Sequence, residues 1–246
     1  MRLMGRSCYY FYRGFENRNF DLRNNGEEWC LRQLARADMR CAFDVGANMG
    51  DWTALALRLW PGATVHAFEL VPANFEKLQQ HVGPSSRVQL NPVGLSDTET
   101  EIEVHYCSRT HFRASAYAMP DVTGTTLVKA RVMRGDDYAR QNRIERVDFL
   151  KIDVEGMEGA VLRGCSELLA QRRVRVIQFE YNITNIVSGF LLRHAYDMLI
   201  PLGYRLGKLY PNYVDFRPYE LEHEDFCGPN FIAVRAEDAE LQKLLS

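Results

Sequence analysis

Carboxylates stand at the ends of several apolar segments of this chain, where they could do chemistry. Asp153 lies near the end of the apolar run at residues 147–154, and Glu155 follows that run directly. Glu180 ends a later apolar run. Burying a carboxylate among apolar residues is costly unless it has a partner, so these positions favour a functional site. A positioned carboxylate can take the proton of a hydroxyl nucleophile, which makes all three candidate catalytic residues. Lys151 could instead pair with one of them in a structural role.

A glycine-rich loop follows another short apolar segment and precedes a predicted helix. The loop reads Asp44-Val45-Gly46-Ala47-Asn48-Met49-Gly50. Glycines let the backbone turn sharply and let a ligand approach closely, and the free N–H groups at a helix start can bind polar groups of that ligand. A nicotinamide dinucleotide site favours the pattern G-x-G-x-x-G, in which Asn48 here replaces the middle glycine. The loop therefore predicts a ligand site and weakens a dehydrogenase interpretation; an ordinary glycine turn is the alternative.

Glu69 ends the next apolar segment, at residues 65–68. In an open parallel sheet, ligands bind outside the carboxyl ends of the strands, and a carboxylate there can accept hydrogen bonds from both ribose hydroxyls of an adenosine ligand. That position alone does not separate a nicotinamide cofactor from S-adenosylmethionine. A solvated acid at a strand end is the simpler alternative.

Composition and charge narrow the function classes. The chain has 246 residues and a formal net charge of −2, so it lacks the overall basic field that nucleic-acid binding usually needs. Six cysteines at irregular spacing form no C-x-x-C pair, a pattern typical of the reducing cytoplasm, where we expect the protein. We expect no integral membrane segment, because no apolar run approaches the roughly 20 residues that span a bilayer.

Strand-sized apolar runs alternate with helical segments along most of the chain. Strands are predicted at residues 42–45, 65–68, 87–91, 101–106, 127–132, 147–154, 174–180, 204–209 and 230–234. Helices are predicted at residues 52–60, 72–82, 158–169 and 190–199, with another beginning near residue 26. This alternation predicts an α/β fold with a mostly parallel sheet, helices on both faces and a closing antiparallel pair of strands. We predict an N-terminal extension at residues 1–25 and a single domain at residues 26–246.

Four segments together resemble the FkbM family of methyltransferases, in order and approximate spacing. They are Phe43-Asp44-Val45-Gly46-Ala47-Asn48-Met49-Gly50, Phe68-Glu69-Leu70-Val71-Pro72, Asn91-Pro92-Val93-Gly94-Leu95-Ser96-Asp97 and Lys151-Ile152-Asp153-Val154-Glu155-Gly156. The resemblance covers about residues 41–234, and the segment around Asp153 is its most specific part. Leu70-Val71 departs from the family, which more often has a single proline after the glutamate.

The resemblance implies the Rossmann-like class I methyltransferase fold and S-adenosylmethionine as the cofactor. The residues that it assigns to cofactor binding are Asp44, Gly46, Ala47, Asn48, Gly50, Thr53, Glu69, Ser96, Asp97 and Asp153. It also implies transfer of the methyl group to a hydroxyl oxygen of a sugar, glycan or secondary metabolite. Methylation of oxygen or nitrogen on a polyketide, peptide or other metabolite is the alternative, and a non-catalytic protein that binds S-adenosylmethionine is a third.

Methyl transfer to oxygen requires an acceptor hydroxyl held in line with the methyl group and a base to take its proton. Our hypothesis is that Asp153 orients the sulfonium or the acceptor and that Glu155 or Glu180 is the base. His105 and His111 are further candidates. Some sugar methyltransferases use a divalent cation, and Asp153, Glu155 and Glu180 could supply its oxygen ligands, although we assign no metal site.

The acceptor pocket is expected to form from the segments that the resemblance does not fix. These are residues 1–25, 108–126 and 209–227, which are rich in aromatic side chains, arginine and asparagine. The run Tyr9-Tyr10-Phe11-Tyr12, flanked by arginines, could contact a lipid-linked glycan or a partner subunit. Packing of this run onto the domain is the favoured prediction.

Overall fold

The most apolar segments of the chain form the strands at the centre of the molecule. The computed structural model describes residues 2–107, 113–118 and 122–246. Its strands are β1 (Cys41–Val45), β2 (Thr64–Phe68), β3 (Val88–Asn91), β4 (Gly94–Ser96), β5 (Thr100–Cys107), β6 (Arg113–Ser115), β7 (Thr126–Arg134), β8 (Val147–Ile152), β9 (Val174–Glu180), β10 (Tyr204–Tyr210), β11 (Tyr213–Phe216) and β12 (Asn230–Arg235).

Helices connect most of these strands. They are α1 (Arg2–Phe15), α2 (Glu27–Leu34), α3 (Asp51–Leu59), α4 (Pro72–Val82), α5 (Gly135–Gln141), α6 (Glu158–Gly164), α7 (Ser166–Ala170), α8 (Thr184–Ser188), α9 (Leu192–Leu199) and α10 (Ala239–Leu245), with a short 3-10 helix at Leu221–His223. In the parts of the chain that the structure describes, no helix combines the length and apolar character needed to cross a membrane.

The main sheet has the order β11-β10-β12-β9-β8-β1-β2-β3. The five strands from β9 to β3 run parallel, whereas β12 lies antiparallel between β9 and β10. Strand-helix-strand connections place parallel neighbours in this way and bring their carboxyl ends to one edge. The predicted α/β fold with a mostly parallel sheet is confirmed, and so is the closing pair, as β10 and β12. Strand β11, which extends β10 as a hairpin, is missing from the sequence prediction.

Two apolar layers cover the faces of this sheet, because successive side chains of a strand point to opposite faces. Ala42 of β1 belongs to the layer under α2, α3 and α10, while its neighbour Phe43 belongs to the layer under α5, α6, α7 and α9. Both residues are at most 1% exposed. The predicted helices on both faces are therefore present.

The predicted helix at residues 158–169 is divided into α6 and α7. Asp136 of α5 explains the division, since its carboxylate accepts hydrogen bonds of 3.0 Å from the backbone N–H groups of Glu167 and Leu168. A carboxylate at this position caps the N-terminus of α7 as a separate helix. Gly164, at the end of α6, packs so closely on the carbonyl of Ser96 that a Cβ there would overlap it.

A second sheet, of order β4-β7-β5-β6, lies beside the edge strand β3. It contains the strands predicted at residues 101–106 and 127–132, which pair antiparallel as β5 and β7. Part of the segment at residues 108–126, expected to contribute to the acceptor pocket, forms β6. Residues 108–112 and 119–121 of this segment lie outside the described residues. This sheet matters for function because its residues form one wall of the cleft described below.

The segment that follows α1 contacts the carboxyl edge of the main sheet. The carboxylate of Glu16 pairs with the ammonium of Lys208 at 2.8 Å, and Lys208 is 1% exposed. The hydroxyl of Tyr12 donates to Asp225 at 3.2 Å. The rest of the aromatic run is exposed to solvent, with Phe11 78% exposed, so the prediction that this run packs onto the domain is wrong.

Candidate cofactor and acceptor site

A cleft of about 710 Å³, partly open to solvent, lies at the carboxyl ends of β1, β2 and β8. Cofactor sites are commonly concave spaces with apolar walls and a few fixed polar groups. The cleft is lined by Val45, Gly46, Asn48, Phe68, Glu69, Leu70, Asn74, Gly94, Leu95, Val104, Ala114, Ala116, Val132, Asp153, Val154, Glu155 and Met157. Of the residues predicted to bind a cofactor, Gly46, Asn48, Glu69 and Asp153 share this one cleft.

Gly46 lies where three strand ends meet. Its φ is +82°, and a Cβ at this position would overlap the carbonyl oxygen of Asp153. The N–H groups of Gly46 and Ala47 both donate to the carbonyl of Phe68, at 3.0 and 2.9 Å. Only glycine combines this backbone conformation with such a close approach. The residue therefore holds the ends of β1, β2 and β8 around the cleft.

Asn48 and Gly50 complete the loop in left-handed conformations, with φ of +50° and +92°. The backbone N–H of Asn48 donates to Glu69 at 2.9 Å. Its side-chain Oδ1 is buried and accepts no hydrogen bond from the described residues. A buried amide oxygen without a donor is costly, so this atom is suited to a ligand that brings one. Gly50 lies behind the loop, against Leu78 of α4.

Glu69 is held by two backbone groups and is 6% exposed. Its Oε2 accepts from Asn48, and its Oε1 accepts from the N–H of Val71 at 2.8 Å. Burial raises the pKa of this carboxyl to about 7, although the two backbone hydrogen bonds oppose the shift. The side chain of Asn74 also hydrogen-bonds to Glu69. A carboxylate has about four acceptor sites, so the side chain retains acceptor capacity for the hydroxyls of a ligand.

Asp44 lies beneath the loop and is fully buried. Its Oδ2 accepts a hydrogen bond of 2.7 Å from the hydroxyl of Thr53, which is also fully buried. Thr53 is thus a residue that orients Asp44 and does not line the cleft. The other oxygen, Oδ1, lies 3.4 Å from the ammonium of Lys151.

Lys151 links three carboxylates under the cleft. Its ammonium lies 3.0 Å from Asp153 and 3.4 Å from Asp44, and the charge of Glu27 in α2 acts on it as well. Burial would lower the pKa of this lysine, but the three carboxylates reverse the effect, and the pKa lies above the ordinary lysine value. The structural pairing considered from the sequence is confirmed, and Lys151 fixes Asp153 at the edge of the cleft.

Four carboxylates converge where β8 and β9 end. Asp153 and Glu155 line the cleft, while Glu180 and Glu158 lie behind them, 8% and 0% exposed. Burial raises the pKa of Glu180 well above its ordinary value, and the charges of the other three carboxylates raise it further. Its Oε2 is buried and accepts no hydrogen bond within the described part of the chain. The structure thus brings together Asp153, Glu155 and Glu180, the three residues predicted to be catalytic.

Glu158 belongs to this cluster, although it is not among the residues predicted to be catalytic or to bind the cofactor. Its carboxylate accepts hydrogen bonds from the N–H of Gly156 at 3.0 Å and from the side chain of Asn185 at 3.2 Å. Burial raises its pKa to about 7. The signal that could have identified it is its place two residues after Gly156, where an acid can cap the turn that follows β8.

Six predicted cofactor ligands lie outside the lining of the cleft, namely Asp44, Ala47, Gly50, Thr53, Ser96 and Asp97. Asp97 forms an ion pair of 2.8 Å with Arg163 of α6, and the hydroxyl of Ser96 is 3.3 Å from Asp97. Their place in a cofactor site remains a prediction. The strand residues next to them, Gly94 and Leu95, do line the cleft, as does Leu70, the residue at which the sequence departs from the family pattern.

Histidine contributes little to the geometry of the cleft. The Nδ1 of His66 is 2.8 Å from the hydroxyl of Tyr138, and burial lowers its pKa to about 4, so it is a core residue. His105 lines a smaller neighbouring pocket with Glu155, and His111 lies outside the described residues. Among the described residues, no three His, Cys, Asp or Glu side chains are arranged to hold a metal ion.

An adenosine-containing cofactor fits these residues. The side chain of Glu69 offers two acceptors for ribose hydroxyls, and the unpartnered Oδ1 of Asn48 can accept a further donor. Apolar side chains on both sides of the cleft, from Leu70 and Leu95 to Val132 of the second sheet, suit a flat aromatic base. The space left by the missing Cβ of Gly46 lets the chain fold tightly beside Asp153.

Comparison with known proteins agrees with this fit. The model of the methyltransferase FkbM domain matches residues 44–206, which include the loop, Glu69 and the carboxylate cluster. The 2-O-methyltransferase NoeI from Sinorhizobium fredii is 28% identical over 175 residues, which cover 64% of this chain and 70% of that protein. Methyltransferase 1 from Beauveria bassiana is 29% identical over 144 residues, which cover 50% of this chain and 57% of that protein.

The fold is also that of a solved protein. The crystal structure of a methyltransferase FkbM from Methylobacillus flagellatus superposes with a TM-score of 0.50 at 14% sequence identity. The match covers 80% of this chain and 44% of that one. The present chain thus spans less than half of the solved protein and little more than half of the fungal relative.

Proposed function

Because the chain belongs to the FkbM family of methyltransferases, we propose that it transfers a methyl group from S-adenosylmethionine to a hydroxyl oxygen, with a sugar or glycan as the acceptor. The observation that carries the proposal is the buried carboxylate of Glu180 among three other acids at the cleft. Similarity to a 2-O-methyltransferase supports oxygen as the atom that is methylated.

Residues of the loop would hold the cofactor. Glu69 would accept the ribose hydroxyls, and Asn48 and Gly46 would shape the loop around the adenosine and methionine parts. When bound, S-adenosylmethionine supplies an electrophilic methyl group on a positively charged sulfonium. The carboxylates at the end of β8 give this end of the cleft a negative field that suits such a cation.

Glu180 is the residue that we assign as the base. A hydroxyl becomes a better nucleophile as its proton is taken, and a carboxylate does this best when its pKa is close to the working pH. Burial and the neighbouring charges raise the pKa of Glu180 well above its ordinary value. Once ionised, its buried Oε2 can accept the proton while the acceptor oxygen bonds to the methyl carbon.

Asp153 is assigned a positioning role. Its carboxylate is 43% exposed at the cleft and is held by the ammonium of Lys151 at 3.0 Å. That ion pair fixes the orientation of the Asp153 carboxylate, which makes it a well-placed hydrogen-bond acceptor. Asp153 would hold the acceptor hydroxyl, and Glu155 would lie on the other side of the same opening.

A groove beside the cleft supports a sugar as the acceptor. The rings of Tyr117 and Phe190 line it together with Arg163, Ser188 and His194. Aromatic faces next to polar groups suit the faces and hydroxyls of a sugar ring. Met157 lines both this groove and the cofactor cleft, so an acceptor in the groove would lie next to the reacting methyl group.

The proposal is tested by incubating the enzyme with methyl-labelled S-adenosylmethionine and a panel of oligosaccharides, sugar nucleotides, polyketides and peptides. We expect label on a sugar hydroxyl, and near-complete loss of labelling for Asp153→Asn in a protein that remains folded. Labelling of only a polyketide or a peptide would show that the acceptor belongs to that class and is not a sugar. Cofactor binding without labelling of any acceptor would favour a non-catalytic binding protein.

A further inference from the structure

The N-terminal helix α1 exposes an aromatic face that no other described part of the chain covers. Tyr10, Phe11 and Phe15 are 66%, 78% and 69% exposed. Phe11 and Phe15, four residues apart, lie on the same side of the helix. Tyr10 lies at the border of that side, and the guanidinium of Arg13 is 6.0 Å from the centre of its ring. Phe20, just beyond the helix, is 57% exposed. Soluble proteins rarely leave several large aromatic side chains together in water, so this face is suited to a partner.

The sequence adds positive charge to the same helix. Positions 2, 6 and 13 hold arginine. The helix therefore combines exposed aromatic side chains with an excess of basic residues.

The charge of this region is positive, although the chain as a whole carries −2. Residues 1–25 contain five arginines and two acids, and α1 contains no acid. Both acids have partners within the protein: Glu16 pairs with Lys208, and Asp21 accepts hydrogen bonds from the N–H of Arg23 and the side chain of Asn24. Five arginines against two acids give this region a net positive charge, which attracts an anionic surface.

We propose that α1 is an interfacial helix that docks the protein on an anionic phospholipid membrane. A helix of 14 residues that combines exposed aromatic side chains with arginines lies in the plane of a membrane surface and does not cross it. Phe11 and Phe15 enter the region between headgroups and acyl chains, while the arginines contact lipid phosphates.

The contacts between the α1 region and the rest of the protein determine how the docked protein is oriented on the membrane. Tyr12 donates to Asp225, and Glu16 pairs with Lys208, at the carboxyl edge of the sheet, the edge at which the cofactor cleft lies. Docking by α1 therefore holds that edge near the lipid surface. The inference does not depend on which acceptor the enzyme methylates.

The test is co-sedimentation of the purified full chain with vesicles of phosphatidylcholine alone or with about 30% phosphatidylglycerol, where each basic residue adds roughly fivefold to binding. We expect the protein to pellet with the anionic vesicles and to be released by high salt. Phe11→Ser with Phe15→Ser, and separately Arg6→Gln with Arg13→Gln, should each weaken binding by roughly tenfold or more.

Leu127→Ser with Ile200→Ser is the matched control, because those side chains are 58% and 48% exposed elsewhere on the molecule. This control should bind vesicles as the wild type does, and all variants should keep the wild-type melting temperature. The proposal is overturned if the wild type stays in the supernatant, binds neutral vesicles equally well, or loses nothing in the Phe11→Ser, Phe15→Ser variant. Concentration-dependent dimerisation that this variant abolishes would instead assign the face to a second copy of the chain.

Discussion

At the residue scale, the site depends on carboxylates whose proton affinity is set by burial. Glu69 and Glu158 are both held by backbone N–H groups, yet the pKa of each is raised to about 7 because both side chains are taken out of water. The sequence shows that these are acids at strand ends. Only their packing shows that they change protonation near neutral pH.

The base assignment predicts a specific loss in the Glu180→Gln variant. With an acceptor identified by the labelling screen, kcat should fall by roughly 10²- to 10⁴-fold, since an amide cannot take the proton of the hydroxyl. The dissociation constant of S-adenosylmethionine should change little. Glu167→Gln, at an exposed carboxylate of α7, is the control and should keep wild-type kcat. Wild-type kcat in Glu180→Gln would move the role of base to Glu155 or Asp153.

The raised pKa of Glu69 predicts that cofactor binding releases protons. At pH 7 this carboxyl is partly protonated, and ribose hydroxyls hydrogen-bond best to its ionised form. Affinity should therefore weaken as the pH falls from 8 to 6, with about half a proton released at pH 7. Calorimetry in two buffers of different ionisation enthalpy measures that release. Equal heats in both buffers would contradict this reading of Glu69.

At the element scale, the cleft is made by strand ends that a single glycine keeps together. Gly46→Ala adds a Cβ that overlaps the carbonyl of Asp153 and also requires a residue with φ of +82°. We expect a loss of roughly 2–4 kcal/mol in the free energy of unfolding and no measurable cofactor binding. Denaturant titration and calorimetry measure the two effects.

Gly189→Ala is a matched control for this prediction. Gly189 also has a left-handed backbone, with φ of +71° and ψ of +11°, but a Cβ there meets no atom within 4 Å. Its substitution should lower the free energy of unfolding by only about 1 kcal/mol, because the left-handed backbone conformation is less favourable for alanine. Cofactor binding should remain intact. If the two variants were equally stable, the close packing of β1 against the end of β8 would not matter for the cleft.

The elements that the sequence predicts correctly are those whose signals are local. Strands β1, β2, β8 and β9 are apolar runs that end at glycine or an acid, and α4 begins at Pro72, where a proline fits the first helical turn. The elements it misses depend on distant contacts. The division between α6 and α7 requires Asp136 from another helix, and β11 exists only as a partner of β10.

The same distinction applies to the site. Asp44, Glu69 and Asp153 could be selected from their positions at strand ends, because parallel strands end at one edge. The second sheet, which supplies Val132 to the far wall of the cleft, could not be placed from its strand pattern alone. The electrostatic interaction of Glu27 with Lys151 could not be predicted either, because the two residues are 124 positions apart in the sequence.

At the scale of the whole molecule, the acids gathered at one edge reduce stability at high pH. Glu158 has a folded pKa of about 7 against an ordinary value of 4.5. The stability associated with its bound proton is present below pH 4.5 and is lost as the pH rises to 7. Glu69 and Glu180 act in the same direction, while His66, whose pKa is lowered to about 4, acts in the opposite one.

The Glu158→Gln variant isolates one of these groups. Between pH 5 and pH 8 the free energy of unfolding of the variant should decrease by about 1–3 kcal/mol less than that of the wild type. This difference does not depend on how stable the variant is at pH 5. Denaturant titrations at both pH values measure the difference. The exposed Glu167→Gln control should follow the wild type, and an unchanged slope in Glu158→Gln would mean that Glu158 is ionised in the folded protein throughout this range.

The central claim is that the cleft at the ends of β1, β2 and β8 binds S-adenosylmethionine through Glu69. Isothermal titration of S-adenosylmethionine into the wild type and into Glu69→Gln, at pH 8, tests it most directly. We expect one binding site in the wild type and at least roughly tenfold weaker binding in the variant, because the group that accepts hydrogen bonds from the ribose loses its charge. No binding to the wild type, or equal affinity in Glu69→Gln, would contradict it.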